Sequence, residues 1–320
     1  MKTSKKIVIL LGAVLAVAIV VLTFITLGGR TEQRIHKVSV IIPNSEDAQW
    51  SSFKYGLRMA AEDSEMEVFV TSTGESMTVE EEQAVITQEL KNGADAVIVQ
   101  PVAGTDAEDM LRKIEKKVPV MLTGQTETRE QDTSSFPVTE ADNYAIGEEL
   151  AKEILQDYNG NIKEKTVGIL MSSEGSEAAA SRKQGFLDSL KDTGAVQIWE
   201  LTEAEENVLE EQKAVDFLIA LDDDSMAAAG KCAAANNLHG ALVYGVGSST
   251  ESVYYLDTGS IECMVVPDAF NVGYQSLTEI AKRLEHPFYK MKSSEVSHTV
   301  MRRSNLFSEE NQNVLYTMNQ

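Results

Sequence analysis

The sequence predicts an α/β protein with two doubly wound parallel-sheet halves, preceded by one N-terminal transmembrane helix. The first reason is a regular alternation, from residue 38 onward, of short apolar β-rich runs with longer stretches of helical apolar spacing. The second is length, because the roughly 290 residues after the N-terminal segment exceed one ordinary core and suggest two domains. The third is an uncharged apolar run at 7–27, long enough to span the hydrocarbon core of a bilayer.

Residues 1–30 are predicted to form a membrane anchor, and residues 31–37 a tether. The 21 residues at 7–27 carry no charge, and the three lysines before them favour an N-terminus in the cytoplasm. A cleaved signal peptide is the alternative, but its apolar region is normally only about 7 to 15 residues long, and no A-x-A-like cleavage site follows here. We therefore expect a single-pass membrane protein whose folded part lies on the extracytoplasmic side.

The first strand, loop and helix provide the first candidate site. The apolar run at 38–43 is typical of a parallel strand that is covered on both faces by helices. Phe53 and Leu57 then begin the apolar face of a helix that packs back onto the sheet. In open parallel sheets, ligands bind beyond the carboxyl ends of the strands. The loop at that place offers Asn44, Glu46, Asp47, Gln49 and Trp50.

The remaining elements follow the same alternation. In the first half we predict strands at 38–43, 67–71, 96–100 and 119–123, with helices at 47–64, 78–92 and 106–117. A short run at 136–138 leads into the second half, with strands at 166–171, 196–201, 215–221, 242–245 and 261–266. The helices of that half are predicted at 143–157, 178–192, 225–237 and 250–258, and the acidic stretch 202–213 is expected to hold only a short one.

Charge and motif content exclude several classes of function. The formal charge of the chain is −22, which makes nucleic acid a poor partner. The sequence contains no GxGxxG after the first strand, no GxxxxGK[ST], no GxSxG and no HExxH, and its four histidines are scattered, so we predict no enzyme, no cofactor and no metal site. Cys232 and Cys263 lack metal-ligand spacing, and two buried free thiols are expected rather than a disulfide.

A family resemblance covers nearly the whole predicted soluble part. The stretches that carry it are VSVIIPNSEDAQWSSFKYGLRMAAE, LKNGADAVIVQPV, KKVPVML, ADNYAIGEELA, RKQGF, ALDDDSMAAAG and FSEENQN, in this order and spacing. The chain resembles the type I periplasmic binding proteins, the ribose-binding-like solute receptors. The resemblance implies two lobes joined by a hinge, with crossings near 139–142, 267–270 and 290–297 and a helix at 271–285 that returns to the first lobe. It assigns 38–140 and 269–292 to an N-terminal lobe, and 141–268 and 293–320 to a C-terminal lobe.

The same resemblance implies ligand residues, and the usual sugar constellation is mostly absent here. Gly124, Ala180, Gly247 and Pro267 stand at positions that are polar in sugar binders. Trp50 offers one stacking face at a place that is commonly aromatic. The polar side chains that remain as candidates, besides the first loop, are Gln100, Gln125, Asp142, Arg182, Asp222 and Asp223. These candidates are rich in acceptors, which suits a cationic or amine-bearing solute. Helix capping is the structural alternative for several of the acids.

Two functions follow from this resemblance. The first is an extracytoplasmic solute-binding protein that captures a small sugar-like or other polar molecule between its lobes and delivers it to a membrane permease for ABC-type import. The second is a ligand-sensing subunit that presents its closed form to a membrane receptor such as a histidine kinase. A membrane segment occupies the place where a gene regulator would carry its DNA-binding helices, so we exclude that role.

Overall fold

Apolar strands alternate with amphipathic helices throughout the folded part of the chain. The computed structural model describes residues 34–45, 50–74, 77–102, 105–124, 136–172, 177–202 and 205–316. The chain from Lys37 onward forms a compact unit that contains two six-stranded sheets. The two-lobe α/β fold with parallel sheets is therefore confirmed.

The first sheet is entirely parallel, with strand order β11-β5-β4-β3-β1-β2. Its strands are β1 (Lys37–Pro43), β2 (Glu67–Thr73), β3 (Ala96–Val99), β4 (Val120–Thr123), β5 (Val138–Ala141) and β11 (Ser294–Val296). Its helices are α1 (Ser51–Asp63), α2 (Val79–Lys91), α3 (Thr105–Glu115) and α9 (Ala269–Glu285). Helices cover both faces, because Val40 packs in one core cluster with α1 and α9 while Ile41 packs in another with α2 and α3.

The second sheet repeats this layout, with strand order β12-β10-β9-β8-β6-β7. Its strands are β6 (Thr166–Leu170), β7 (Val196–Leu201), β8 (Phe217–Ala220), β9 (Leu242–Val246), β10 (Cys263–Pro267) and β12 (His298–Met301), the last antiparallel to β10. Its helices are α4 (Asn143–Asp157), α5 (Glu177–Leu190), α6 (Glu206–Glu210), α7 (Asp223–Ala234), α8 (Thr250–Thr258) and α10 (Glu309–Tyr316). We call each sheet with its helices a lobe.

Each lobe contains one pair of helices that approach closely through glycine. In the first lobe, a Cβ at Gly56 of α1 would overlap the Phe270 carbonyl oxygen, and Gly273 of α9 is equally close to α1. In the second lobe, Gly147 of α4 and Gly185 of α5 meet in the same way. Only a residue without a side chain permits this backbone separation. These glycines therefore set how α9 packs against α1 in the first lobe and how α4 packs against α5 in the second.

The chain passes between the lobes three times, after β5, after β10 and between β11 and β12. The passages lie at Asp142, Asp268 and Ser297. Two hydrogen bonds hold them together: the Asp142 N–H donates to the Val296 carbonyl oxygen at 3.4 Å, and the Asp268 N–H to the Ser297 carbonyl oxygen at 3.1 Å. Because β5, β10 and β11 all end at these passages, the carboxyl ends of both sets of parallel strands face the hinge.

The predicted elements agree with the observed ones to within a few residues, apart from the C-terminal part. There β11, β12 and α10 were not predicted. The division expected between residues 292 and 293 precedes β11, which pairs with β5 in the first sheet, so the third passage lies about four residues later. The predicted membrane segment at 7–27 lies outside the described residues, and within them no helix is both long and apolar enough to cross a membrane. Cys232 and Cys263 are free, buried thiols in different core clusters.

Candidate functional site

The candidate site is the set of loops at the carboxyl ends of the strands, on both sides of the hinge. In the first lobe these loops follow β1, β3, β4 and β5, and in the second lobe β6, β8, β9 and β10. Parallel strands leave a crevice at this edge, where side chains from different loops meet. The described candidates in these loops divide into those with free polar atoms and those whose polar atoms already have protein partners.

Trp50 immediately precedes α1 and is half-buried. Its ring contacts the Phe53 ring edge-on, with 5.3 Å between centroids, and packs against the core cluster of the first lobe. Its indole Nε1 is buried and has no hydrogen-bond partner within the described part of the chain. A buried indole N–H normally finds an acceptor. Trp50 therefore combines a packing role with an unused donor at the edge where a ligand would lie.

Gln100 follows β3, the neighbour of β1, and carries an unused acceptor. Its backbone N–H donates to the Ile41 carbonyl oxygen at 3.0 Å, which extends the sheet by one bond. Its side-chain Oε1 is buried, and no donor among the described residues reaches it. Gly124, after β4, has a positive φ of 78°, and a Cβ there would lie 3.8 Å from the Gln100 carboxamide. A residue with a side chain would be strained at 124 by this φ, although its Cβ would make only an ordinary contact with that group.

Asn44 directly follows β1 and lies in the left-handed region, with φ of 42°. Its backbone N–H donates to the Thr73 carbonyl oxygen at 2.9 Å and so continues the pairing of β1 with β2. Asparagine tolerates this conformation better than most residues, which supplies a backbone reason for its presence. The candidates Glu46, Asp47 and Gln49 of the same loop, and Gln125 after β4, lie outside the described residues.

Asp142 and Asp222 serve as helix caps. The Asp142 Oδ1 accepts the Ala145 N–H at 2.9 Å at the start of α4. The Asp222 Oδ1 accepts the Ser225 N–H at 2.9 Å at the start of α7, and its Oδ2 accepts the Ser172 N–H at 2.8 Å from the loop after β6. Capping satisfies backbone donors that the helix itself leaves unpaired. Both carboxylates are therefore engaged in local structure.

Asp223 holds the loop after β9. Its Oδ1 accepts the N–H groups of Ser248 at 3.0 Å and Ser249 at 3.1 Å and the Ser252 hydroxyl at 3.0 Å, while its Oδ2 accepts the Ser248 hydroxyl at 3.1 Å. Gly247 makes room for this arrangement, because a Cβ there would lie 3.0 Å from Oδ1. Four donors satisfy the charge of this carboxylate without any ligand.

Arg182 links three elements of the second lobe. Its Nε donates to the Asn143 Oδ1 at 2.9 Å, and its Nη1 donates to the Leu221 carbonyl oxygen at 2.6 Å. Burial lowers the pKa of Arg182 to about 10, while the nearby charges of Asp222 and Asp223 act in the opposite direction. The guanidinium remains charged at neutral pH and offsets part of the acidic charge after β8.

Glu82 is a buried carboxyl at the same edge that the sequence did not single out. It lies in the first turn of α2 with 1% of its surface exposed, and its Oε1 accepts the Val102 N–H at 3.1 Å, two residues beyond Gln100. Its Oε2 lacks a described partner. Burial raises the pKa of Glu82 to about 7. The available signal was its spacing of four residues from Ile86, which places both side chains on the buried face of α2.

The arrangement suits reversible binding of a small molecule. In the parts of the chain that the structure describes, no group of three His, Cys, Asp or Glu side chains could hold a metal ion. Three buried polar atoms at this edge have no partner in the described chain: the indole N–H of Trp50, the carboxamide oxygen of Gln100 and Oε2 of Glu82. Trp50 and Gln100 follow neighbouring strands and could serve a ligand with both acceptor and donor groups.

Comparison with solved structures shows the same fold. A carbohydrate-transporter solute-binding protein from Agrobacterium radiobacter, in complex with D-arabinose, is 16% identical with a TM-score of 0.75, and the match covers 88% of this chain and 99% of that one. GanP, a glucose-galactose binding protein from Geobacillus stearothermophilus, is 17% identical with a TM-score of 0.72, over 86% of this chain and 100% of that one. A chain of the XylFII–LytSN complex is 17% identical with a TM-score of 0.69, over 84% and 98%.

No curated protein matches the sequence. A family described as the periplasmic binding protein domain, however, matches residues 38–286, which span the first five strands of each sheet. The match covers well over half of the 320 residues. This chain therefore belongs to the periplasmic binding protein domain family.

Proposed function

We propose that this protein is a membrane-tethered extracytoplasmic solute-binding protein that captures a small polar molecule between its lobes for ABC-type import. The observation that carries the proposal is the placement of both carboxyl strand edges at the three hinge passages, with unused polar atoms at the edge of the first lobe. Family membership supports it, as do the sugar-bound and sugar-binding neighbours of the same fold.

The described polar groups favour a neutral polar solute over a cation. Of the carboxylates that suggested a cationic ligand, the three that the structure describes, Asp142, Asp222 and Asp223, already accept protein donors, and Arg182 adds a positive charge beside the last two. Among the sequence candidates, the buried atoms without a described partner are one donor on Trp50 and one acceptor on Gln100, and Glu82, whose pKa burial raises to about 7, adds a carboxyl oxygen at the same edge. A sugar-like solute offers both kinds of group in one molecule. A ligand hydroxyl that is buried without a hydrogen-bond partner costs roughly 1–3 kcal/mol of binding free energy, and each hydroxyl that finds a partner in the site avoids this cost.

A thermal-shift panel tests this ligand class. Pentoses, hexoses and matched amine-bearing solutes are added separately to the purified protein, and a binder present at 100 times its Kd stabilises the fold by about 2.7 kcal/mol. Neutral polyhydroxylated solutes should raise the melting temperature, and Trp50→Ala should remove most of that shift. A panel in which only amines stabilise the protein would overturn the neutral-solute assignment.

Ligand should also close the hinge. The lobes are joined by three short passages, so contacts of one solute with both strand edges favour a closed form over an open one. Small-angle scattering with and without the solute identified in the panel should show a smaller radius of gyration in its presence. The same radius in both states would argue against capture between the lobes.

The tether forms a separate part of the proposal. The apolar run at 7–27 is long enough to span a bilayer, and the lysines before it favour a cytoplasmic N-terminus. Intact-mass measurement of the protein extracted from membranes should return the full chain. A mature N-terminus within residues 28–37 would show a cleaved signal peptide instead.

A ligand-sensing role is the second candidate. It is favoured by a neighbour of the same fold that was solved in a complex with another protein, the XylFII–LytSN complex. The absence of a cysteine near the apolar run, so that no lipid can be attached there, also agrees with a sensor on a membrane helix. The adjacent genes discriminate between the roles, because permease and ATPase genes indicate import and a sensor-kinase gene indicates signalling.

A further inference from the structure

A fully exposed phenylalanine stands at the tip of the loop between α9 and β11. Phe288 has 102% of its reference surface exposed, the largest value among the exposed large apolar residues described. The loop is well fixed: the Tyr289 N–H donates to the His286 carbonyl oxygen at 2.8 Å, which closes a tight turn around Pro287 and Phe288. The ring is thus held in water by an ordered turn.

The turn is braced from inside the lobe by Glu279, a largely buried residue of α9. Its Oε2 accepts the Tyr289 hydroxyl at 2.9 Å and the Lys292 N–H at 2.8 Å, and its Oε1 accepts the Lys282 ammonium at 2.7 Å. These bonds lower the pKa of Glu279 against the effect of its burial, so the carboxylate stays charged. Phe288 is consequently presented outward by a rigid support.

The loop is basic in a strongly acidic protein. The chain has a formal charge of −22, yet residues 282–292 contain four lysines or arginines and one acid. Lys290 and Lys292 are exposed, and no carboxylate of the described residues forms an ion pair with either. Residues 112–117, at the end of α3, have the same balance of four cations and one acid. No other described stretches of similar length are as basic.

Both basic stretches lie at one end of the first lobe. Helices α3 and α9 run against the parallel strands, so both end at the edge where those strands begin. The chain enters the lobe at this edge, at Lys37, and Leu284 and Met291 pack in the same core cluster as Val38. We call this end of the first lobe, with residues 112–117 and 282–292, the amino pole.

We propose that the amino pole rests on the surface of an anionic lipid bilayer, with the Phe288 ring among the headgroups and Lys290 and Lys292 beside lipid phosphates. The inference rests on the proposed membrane attachment through residues 7–27. Only nine residues, 28–36, separate that run from Lys37, which limits the reach of the tether to about 35 Å. An exposed aromatic ring flanked by lysines is the combination that binds at a bilayer interface.

Charge complementarity selects lipid as the occupant. An acidic protein is repelled by an anionic surface, and the amino pole carries the two most basic stretches of the described chain. Each cation near such a surface contributes on the order of a fivefold change in affinity. The contact would hold the first lobe still and leave the hinge and the second lobe on the far side, free to close on a solute. It would thus set the direction in which the site faces.

A spin label tests the contact in the full-length chain reconstituted into phosphatidylglycerol vesicles. Phe288→Cys places a thiol at the tip, and the two native cysteines are 1% and 0% exposed, so labelling is selective. Phe307→Cys is the matched control: Phe307 is 62% exposed in the segment after β12, at the opposite end of the molecule. The label at 288 should be accessible to oxygen and protected from a water-soluble nickel complex, whereas the label at 307 should show the reverse.

The experiment is repeated with a different lipid and with the two lysines replaced. Phosphatidylcholine vesicles, or Lys290→Gln combined with Lys292→Gln, should make the label at 288 severalfold more accessible to the nickel complex. If the chain is recovered with the vesicles but the label at 288 is as accessible to the nickel complex as the label at 307, the proposed lipid contact is wrong and the membrane anchor still stands. Failure of the chain to float with the vesicles overturns both. Protection from oxygen and nickel alike would indicate a protein partner and would also overturn it.

Discussion

Replacing Glu82 by glutamine should stabilise the protein at about pH 8 and change its stability little at about pH 4.5. The carboxyl group is 1% exposed, accepts one N–H from Val102 and has one oxygen without a described partner. Ionising a buried carboxyl is costly, which is why burial raises the pKa of Glu82 from 4.5 to about 7. Glutamine retains an acceptor for Val102 and removes the ionisation.

The pKa difference sets the size of the effect. Between pH 4.5 and about 7 the folded protein binds a proton at Glu82 that the unfolded chain has released, so this residue's contribution to stability falls as the pH rises. Above the pKa of Glu82 in the folded state, the full stability cost of ionising this buried carboxyl applies. A shift from 4.5 to about 7 corresponds to at most about 3 kcal/mol, at 1.36 kcal/mol for each pKa unit. We expect Glu82→Gln to gain between about 1 and 3 kcal/mol at the higher pH.

Urea unfolding of both proteins at several pH values measures the difference directly, provided that the slope with urea stays the same. The matched control is Glu80→Gln, which removes the same charge from the same helix turn at an exposed position. Its stability difference from the parent should vary little across this pH range. If the curves for Glu82→Gln and the parent run parallel between pH 4.5 and about 8, the carboxyl is not held in a costly site and the reasoning fails.

Three further changes test the packing and the site. Gly56→Ala should lower the free energy of unfolding by at least about 1 to 3 kcal/mol, because the new Cβ overlaps the backbone of α9. The control Gly74→Ala should be nearly neutral, since a Cβ there has no atom within 4 Å; equal losses of stability in urea unfolding would contradict this. Trp50→Ala should weaken solute binding by about 1 to 3 kcal/mol in calorimetry, with Trp199→Phe as the unaffected control; parental affinity would place the site elsewhere. Asp223→Asn should cost about 2 kcal/mol of stability, since its carboxylate accepts four serine donors; unchanged stability with lost binding would show that it faces the ligand instead.

The repeated strand and helix pattern could be predicted from local sequence, because burial of both faces of a parallel sheet imposes it residue by residue. Val40, Ile41 and Ile42 are all buried, as a strand covered by helices on both sides requires. Phe53 and Leu57 are buried at helical spacing in α1. Such signals extend over a whole element, so they fixed the fold class and the edge of the sheet where the site lies.

The last strands could not be predicted in this way. β11 and β12 have only three and four residues, too few to show a period, and one residue between them separates the two sheets. Their places are decided by pairing with β5 and β10, which lie far away in the sequence. This is why the predicted lobe boundary fell before β11.

The use of the polar side chains was also decided by tertiary structure. The sequence placed Asp222 and Asp223 at the correct edge, but it could not show that Asp223 accepts donors from a loop 25 to 29 residues away. Nor could it show that the indole of Trp50 and the carboxamide of Gln100 keep buried atoms without a described partner, while Asp222 and Asp223 accept several protein donors. Composition and periodicity determine which residues are buried and where strands end; hydrogen-bond partners depend on distances between segments that only the folded chain brings together.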